Sequence, residues 1–302
     1  MSFIKNIKKN GTDILLYKCP SPVNELLVSG GKIIKIAFID TETTGLNHKT
    51  DEIIELALKI ITFERQSGKI VSVDHSYTSF NQPKKNINEN ITIITGINDK
   101  MVKNQSIDWK KVDSLLINAN LIISHNASFD KPFMDNYSII SSKTQWACSI
   151  KDIDWLEKGF ISSKQELLCF WHGFYFEAHR AMNDVNALIH LLTHNSYIDN
   201  KPILELVKNS ETPTYIIWVT NFPFNEDKKN VVKINGYGWN VIKKLWSKSV
   251  KKENIEGEKI FLTNLIYNDI FKGEVEELKV LDKYKIWFRN KTKIRGRDGY
   301  IY

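Results

Sequence analysis

The stretch Ile33-Ile34-Lys35-Ile36-Ala37-Phe38-Ile39-Asp40-Thr41-Glu42-Thr43-Thr44-Gly45 decides how this chain is read. Its first seven residues are β-branched or apolar with a single lysine, the pattern of a strand buried on both faces. Asp40 and Glu42 follow, two residues apart. Side chains alternate along a strand, so both carboxylates face the same side and can serve one metal site. Thr43, Thr44 and Gly45 then end the strand. A lone Asp-x-Glu pair on a strand is usually a solvated surface, so the reading depends on what lies elsewhere in the chain.

Around this stretch the pattern alternates. Ile53 to Phe63 is strand-like, and Ser67-Gly68 supplies a turn into a third strand, Ile70 to Phe80. Residues 81 to 107 read as loop with short helices. Asp108 to Asn118 has Trp109, Val112, Leu115 and Leu116 at helical spacing. Leu121 to Ser124 is a short buried strand, and a helix is expected from about Phe129, with Pro132 tolerated in its first turn. Gln165 to Trp171 and Asn183 to Leu192 complete the helices of this part. Three strands able to pair antiparallel, followed by alternating helix and strand, imply an α/β domain: a mixed sheet flanked by helices.

Two further segments carry acids. One is His125-Asn126-Ala127-Ser128-Phe129-Asp130, just after the strand Leu121 to Ser124; the other is His179-Arg180-Ala181-Met182-Asn183-Asp184. Asp130 falls at the carboxyl end of a strand, where open α/β sheets place ligands. Five residues on one helix amount to about 140° of rotation, so His179 and Asp184 would point apart if both were helical. His179 is therefore expected in the loop before the helix, where an imidazole titrating near neutrality suits a general base. Carboxylates suit hard divalent cations such as Mg²⁺, which keeps several waters and needs few protein ligands.

Asp40-Thr41-Glu42-Thr43-Thr44-Gly45, His125 to Asp130 and Ala178 to Val185 resemble the three motifs of the DEDDh 3′–5′ exonucleases, the family of the proofreading epsilon subunit of bacterial DNA polymerase III and its stand-alone homologues. Thr95-Gly96-Ile97 is also similar to a family segment between the first two motifs. The resemblance covers about residues 33 to 195. It implies a ribonuclease-H-like, five-stranded mixed sheet and removal of nucleoside monophosphates from DNA 3′ ends. Asp40, Glu42, Asp130 and Asp184 would hold two Mg²⁺ or Mn²⁺ ions, and His179 would be the general base. Two such ions cut a phosphodiester without a protein nucleophile. Thr43, Leu46, Asn126 and Phe129 would grip the terminal nucleotide.

The domains expected are an arm over 1–32 with one short strand at Ile14 to Tyr17, the exonuclease domain over 33–195, a linker over 196–212, and a basic α+β domain over 213–302. In the last, strands are expected at Tyr215 to Val219, Val231 to Ile234 and Lys279 to Phe288, with a helix at about Glu258 to Phe271. The formal charge is +7, and residues 201–302 hold 20 Lys and Arg against 13 Asp and Glu. The first 200 residues hold 22 of each, so the whole excess lies in the C-terminal third. That suits a polyanion. Tyr237, Trp239, Trp246 and Trp287 interleave there with Lys233, Lys243, Lys244 and Lys248, a pattern equally fit for stacking on unpaired bases and for a small core with a basic outside. A basic tail, Arg289 to Arg297, is expected to order on meeting a partner.

Cys19, Cys148 and Cys169 form no CxxC pair, so no disulfide framework or cysteine zinc site is indicated. No segment approaches the ~18 apolar residues of a membrane helix, and no apolar leader opens the chain. A cytoplasmic, membrane-free protein is expected, with single-stranded DNA 3′ ends and replication or repair proteins as partners. His172 and His190 read as isolated histidines, and Gln165 to Phe170 as an amphipathic helix rather than a clamp-binding peptide. An RNA-trimming enzyme with the same site and a non-catalytic nucleic-acid-binding subunit are the alternatives.

Overall fold

The structure is a computed structural model that describes residues 9–10, 13–24 and 31–285. It divides into two compact units, Met1–Glu211 and Thr212–Tyr302. No helix among the described residues is long and apolar enough to cross a membrane.

The first unit is built on five strands: β1 (Ile33–Thr43), β2 (Ile53–Glu64), β3 (Ile70–Phe80), β4 (Leu121–Ser124) and β5 (Trp146–Cys148). Their order across the sheet is β3-β2-β1-β4-β5. β1–β2 and β2–β3 are antiparallel, whereas β1–β4 and β4–β5 are parallel. This is the mixed five-stranded sheet expected. β1 runs four residues further than its apolar run suggests, because Asp40 still pairs with Ala57 and Glu42 with Glu55. The register then shifts between Glu42 and Thr43. Such an irregularity re-aims the chain at a strand end.

Its longer helices are α1 (Trp109–Leu116), α2 (Ala127–Asp135), α3 (Gln165–Trp171), α4 (Ala181–Leu192) and α5 (Pro202–Ser210), beside short ones at Glu89–Thr95, Asp99–Val102 and Ile139–Lys143. α2 starts at Ala127 rather than Phe129, so Pro132 stands in the second turn, not the first. Helix α4 buries Ala181, Val185, Leu188 and Leu192 against Phe38, Ile61 and Phe63 of the sheet. Ile97 of the Thr95-Gly96-Ile97 segment is fully buried with Ile54, Ile87 and Val102, and Gly96 ends its short helix in the left-handed region at φ 69°.

Three expectations change here. The stretch read as a linker, 196–212, contains α5, whose Ile203 and Leu206 belong to the main core. The reason is legible afterwards: Pro202 opens the helix, and apolar residues recur at helical spacing. Gly68, with φ 64° in the β2–β3 turn, lies against Ile203, and a Cβ there would come within 2.6 Å of it. Next, His172 and His190 are not isolated. They meet His194, with His172 and His190 rings each 5.2 Å from it. Tyr17 Oη lies 2.8 Å from Nε2 of both His190 and His194. Burial lowers the pKa of His172 to about 4 and of His194 to about 3, so this cluster is neutral at ordinary pH. Finally, the single strand expected over Ile14 to Tyr17 is instead split: Asp13–Ile14 pairs antiparallel with Lys9–Asn10, and Tyr17–Lys18 pairs parallel with Phe174–Tyr175.

The second unit is an antiparallel sheet, β6 (Thr214–Val219), β7 (Gly238–Asn240), β8 (Leu245–Val250) and β9 (Glu274–Leu278), in the order β7-β8-β6-β9. Its helices are α6 (Glu226–Ile234) and α7 (Ile255–Leu262). The expected strand Val231 to Ile234 is the last turn of α6. Asn225 caps that helix by accepting from the backbone N–H groups of Asp227 and Lys228, and this local start outweighs the β-branched pair Val231-Val232. α7 passes into a π turn, Thr263–Tyr267, closed by Asn268 at φ 61°, so it stops short of Phe271. The last strand comes earlier than Lys279, as Glu274–Leu278, an edge strand that carries three glutamates. Residues 286–288 of the expected strand, Trp287 and the basic tail lie outside the described residues.

If α5 is part of the first unit's core, Leu206→Ala leaves a cavity and lowers that unit's stability by about 2–5 kcal/mol. Urea unfolding followed by far-ultraviolet dichroism measures this; a loss below about 0.5 kcal/mol would return the segment to a loosely attached linker.

Candidate metal centre

Asp40 and Glu42 project from the end of β1, and Asp184 from the first turn of α4. One oxygen from each of the three lies within 4.8 Å of the others. Neighbouring strands fix the first two: β2 pairs with β1 on one side, and β4 pairs with it in parallel on the other. The parallel pair brings α2, which follows β4, to the same end of the sheet, and with it Asp130. Its Oδ1 accepts from the backbone N–H of Thr41 at 3.1 Å and from Thr41 Oγ1 at 2.8 Å. Asp130 stands outside the group of three oxygens. It is nevertheless near enough to Asp40 for its charge to matter, and it is almost fully buried.

The N-terminus of α4 is held from several sides. The Asp184 carboxylate turns back and accepts from the backbone N–H of Arg180 at 3.2 Å. Gln165 Nε2 donates to the Asp184 carbonyl at 2.8 Å. Glu55, from β2 and opposite Glu42 in register, accepts from Arg180 Nε and a terminal nitrogen at 3.3 and 3.2 Å, and from the backbone N–H of Ala181 at 3.2 Å. His179 precedes this helix in the loop, exposed, with φ 64°. That left-handed conformation is uncommon for a residue with a Cβ. The Asp184 and Glu55 bonds to the next residues are what hold the turn that contains it.

Crowded acids in a poorly hydrated place resist ionisation. Burial, then the charges of Asp184, Asp130, Glu42 and Glu55, push the Asp40 carboxyl well above the usual range. Burial and then Asp184, Glu55 and Asp130 raise Glu42 to about 8, with Arg180 opposing. Burial raises Asp184 to about 7 against the backbone N–H groups of Arg180 and His179. Asp130 rises to about 6 through burial, opposed by the hydrogen bonds from Thr41. Among the described residues Arg180 is the cation that opposes this repulsion, and it is paired with Glu55. A cluster of hard oxygen donors with raised proton affinity fits a divalent cation such as Mg²⁺ or Mn²⁺.

The flanking residues separate. Thr43 is buried and its hydroxyl donates to the Gly45 carbonyl at 2.6 Å. Leu46 is 73% exposed in the following loop. Asn126 is exposed at the N-terminus of α2, and Phe129 is half-buried with its ring 5.0 Å from that of Phe133. Sequence reading missed Glu55 and Arg180. A signal was present: Ile53 to Phe63 is apolar except for Glu55, Lys59 and Thr62, and a carboxylate inside such a run needs a partner.

A family model for exonucleases, RNase_T, matches residues 37–192, which is more than half of the chain and includes all three acidic segments. The DNA polymerase III PolC-type of Thermotoga petrophila is 31% identical over 128 residues, covering 41% of this chain and 8% of the relative. That of Clostridium perfringens is 34% identical over 108 residues, covering 35% and 7%. The chain thus spans less than a tenth of the length of these polymerases. Among solved structures, exonuclease I aligns at 15% identity and a TM-score of 0.48, covering 72% of this chain and 62% of that one. The E. coli ExoI–ssDNA complex with zinc aligns at 18% and 0.45, covering 62% and 48%. With the family model lying across the sheet and the acidic segments alike, the chain belongs to the DEDDh-type 3′–5′ exonuclease family.

Proposed function

We propose that the first unit hydrolyses phosphodiester bonds one nucleotide at a time from a DNA 3′ end, with Asp40, Glu42, Asp130 and Asp184 holding two Mg²⁺ or Mn²⁺ ions and His179 as general base. The observation that carries this reading is the convergence of Asp40, Glu42 and Asp184 oxygens within 4.8 Å, from residues 144 positions apart in sequence at the extremes. Bound ions supply Lewis-acid polarisation of the scissile phosphate and lower the pKa of water. His179 accepts the proton of the attacking water on a ring nitrogen, and its exposed loop lets it return that proton to solvent. Asp130, braced by Thr41, completes the negative field. Glu55 acts as a positioning residue: it fixes the turn that bears His179 and Arg180 and the helix end that bears Asp184. Leu46 and Phe129 offer apolar contact to the terminal nucleotide, with Thr43 and Asn126 beside them. End-labelled DNA and RNA oligonucleotides of one sequence test the whole reading. Release of mononucleotides from the DNA 3′ end that requires Mg²⁺ or Mn²⁺ is expected; no metal-dependent release from either polymer would sink it.

The titrations set a direction for pH. Glu42, Asp184 and Asp130 must shed protons to hold a cation, so the Mg²⁺ concentration for half-maximal rate falls as pH rises from about 6 to about 8. Stability without cation runs the other way. The folded protein keeps protons on these acids that the unfolded chain has lost, so stability declines as pH rises from about 4 to about 8. Asp40→Asn is thus expected to abolish release while raising the metal-free melting temperature, by more at pH 8 than at pH 5. Scanning calorimetry at the two pH values measures this, and an equal or lower melting temperature would contradict the crowding of charge.

His179→Ala is expected to lower kcat by about 10²–10⁴-fold with oligonucleotide binding little changed. An unchanged kcat removes His179 from the proton transfer. Glu55→Gln keeps the shape but loses the charge that holds Arg180, and the expected cost is roughly 10–100-fold in activity or in apparent Mg²⁺ affinity. Metal titrations of the rate decide whether Glu55 has this role.

A further inference from the structure

The aromatic and basic residues of the C-terminal third divide into two groups. Tyr237 is core: it is buried, and its hydroxyl donates to Glu258 at 2.8 Å. Lys248 is paired with the same glutamate. Lys243 lies 4.0 Å over the Trp218 ring and donates to Glu276 at 2.9 Å. These serve the unit's own stability. Trp239, Trp246 and Lys244 do something else. They line a cavity of about 550 Å³, together with Phe222, Phe224 and Lys229. The volume is that of a small-ligand site.

Two of its aromatic walls are costly to leave in water. Phe224 is 97% exposed and Trp239 is 41% exposed. Trp246 forms the floor, its ring 5.5 Å from that of Trp239 at 66°. Helix α6 contributes Lys229, and one turn on it presents Lys233, whose Nζ lies 6.0 Å from the centre of the Trp246 ring. Lys244 closes the opposite rim, in the β7–β8 turn at φ 53°. One acid, Glu226, also lines the cavity, and its exposed pair with Lys229 at 3.0 Å can yield to a phosphate. Apolar ring faces bordered by Lys229 and Lys244, with Lys233 over the Trp246 ring, complement a ligand with flat, weakly polar rings linked by anions. An apolar helix or an acidic peptide matches only half of that surface.

We propose that this cavity is a second binding site for single-stranded nucleic acid, taking an unpaired base against Trp239 and Phe224 while Lys229, Lys233 and Lys244 face the flanking phosphates. The choice of polymer rests on the exonuclease reading of the first unit; the site itself rests on the cavity. It would hold substrate strand independently of the metal centre.

The test uses the full chain carrying Asp40→Asn, without divalent cation, and a fluorescein-labelled thymidine oligonucleotide read by anisotropy. Adding Trp239→Ala, or Phe224→Ala at the nearly fully exposed ring, is expected to weaken binding by about 5- to 100-fold. Lys229→Ala with Lys244→Ala is expected to reduce the slope of log affinity against log salt by roughly 0.7 per lysine. Melting temperatures matching the parent confirm that the variants fold. In the chain with Asp40 intact, Trp239→Ala should hydrolyse the small p-nitrophenyl ester of thymidine 5′-monophosphate at the parent's rate. Parental oligonucleotide affinity and salt slope in all these folded variants would overturn the site. Failure of the parent itself to hydrolyse the ester or shorten DNA would instead count against the exonuclease reading, whatever the binding result.

Discussion

The arrangement of the first unit depends on one unfavourable interaction, the mutual repulsion of carboxylates at the end of β1. Asp40, Glu42 and Asp184 are held within a few ångströms by backbone that they do not control: the antiparallel and parallel ladders on either side of β1, and the packing of α4 on the sheet. Burial removes the water that would otherwise screen them, which is why Glu42 and Asp184 bind protons at pH values where exposed acids are ionised. The apolar core of Phe38, Ile61, Phe63, Val185 and Leu188 supplies the stabilisation that keeps these charges together. Such crowding costs stability wherever no counter-charge relieves it.

Around these acids lies a set of contacts that fixes them without sharing their role. Thr41 braces Asp130, Gln165 holds the Asp184 carbonyl, and Glu55 joins Arg180 and the first N–H of α4. Glu55 is almost fully buried and stands beside three other acids, yet its pair with a half-exposed Arg180 gives it a counter-charge. This division matters electrostatically. The Arg180 guanidinium is used to anchor the helix rather than to neutralise the carboxylates of β1 and α4.

The second unit shows how far composition can be taken. Its positive balance and its tryptophans are plain from the chain, but stacking on bases and forming a core demand the same residue types. Lys243 and Lys248 turn out to have acidic partners, and Tyr237 is interior, whereas Trp239, Lys229 and Lys244 border one cavity. Sequence neighbours such as Lys243 and Lys244 therefore part company, because alternate positions of a turn point in different directions.

The order of elements, the mixed sheet and the three acidic segments were legible in the sequence, since period-two and period-3.6 apolar patterns report burial directly, and Asp-x-Glu spacing on a strand fixes a shared face. Local patterns misjudged α5 as a linker and the end of α6 as a strand, where capping and long-range packing outweigh residue propensity. The motif resemblance already implied that Asp184 joins Asp40 and Glu42, whereas only the tertiary structure decided the pairing of Glu55 with Arg180 and of the histidines with Tyr17. Periodicity assigns a side chain to a face, but its partners across that face are set by strand order and helix docking, which no local pattern encodes.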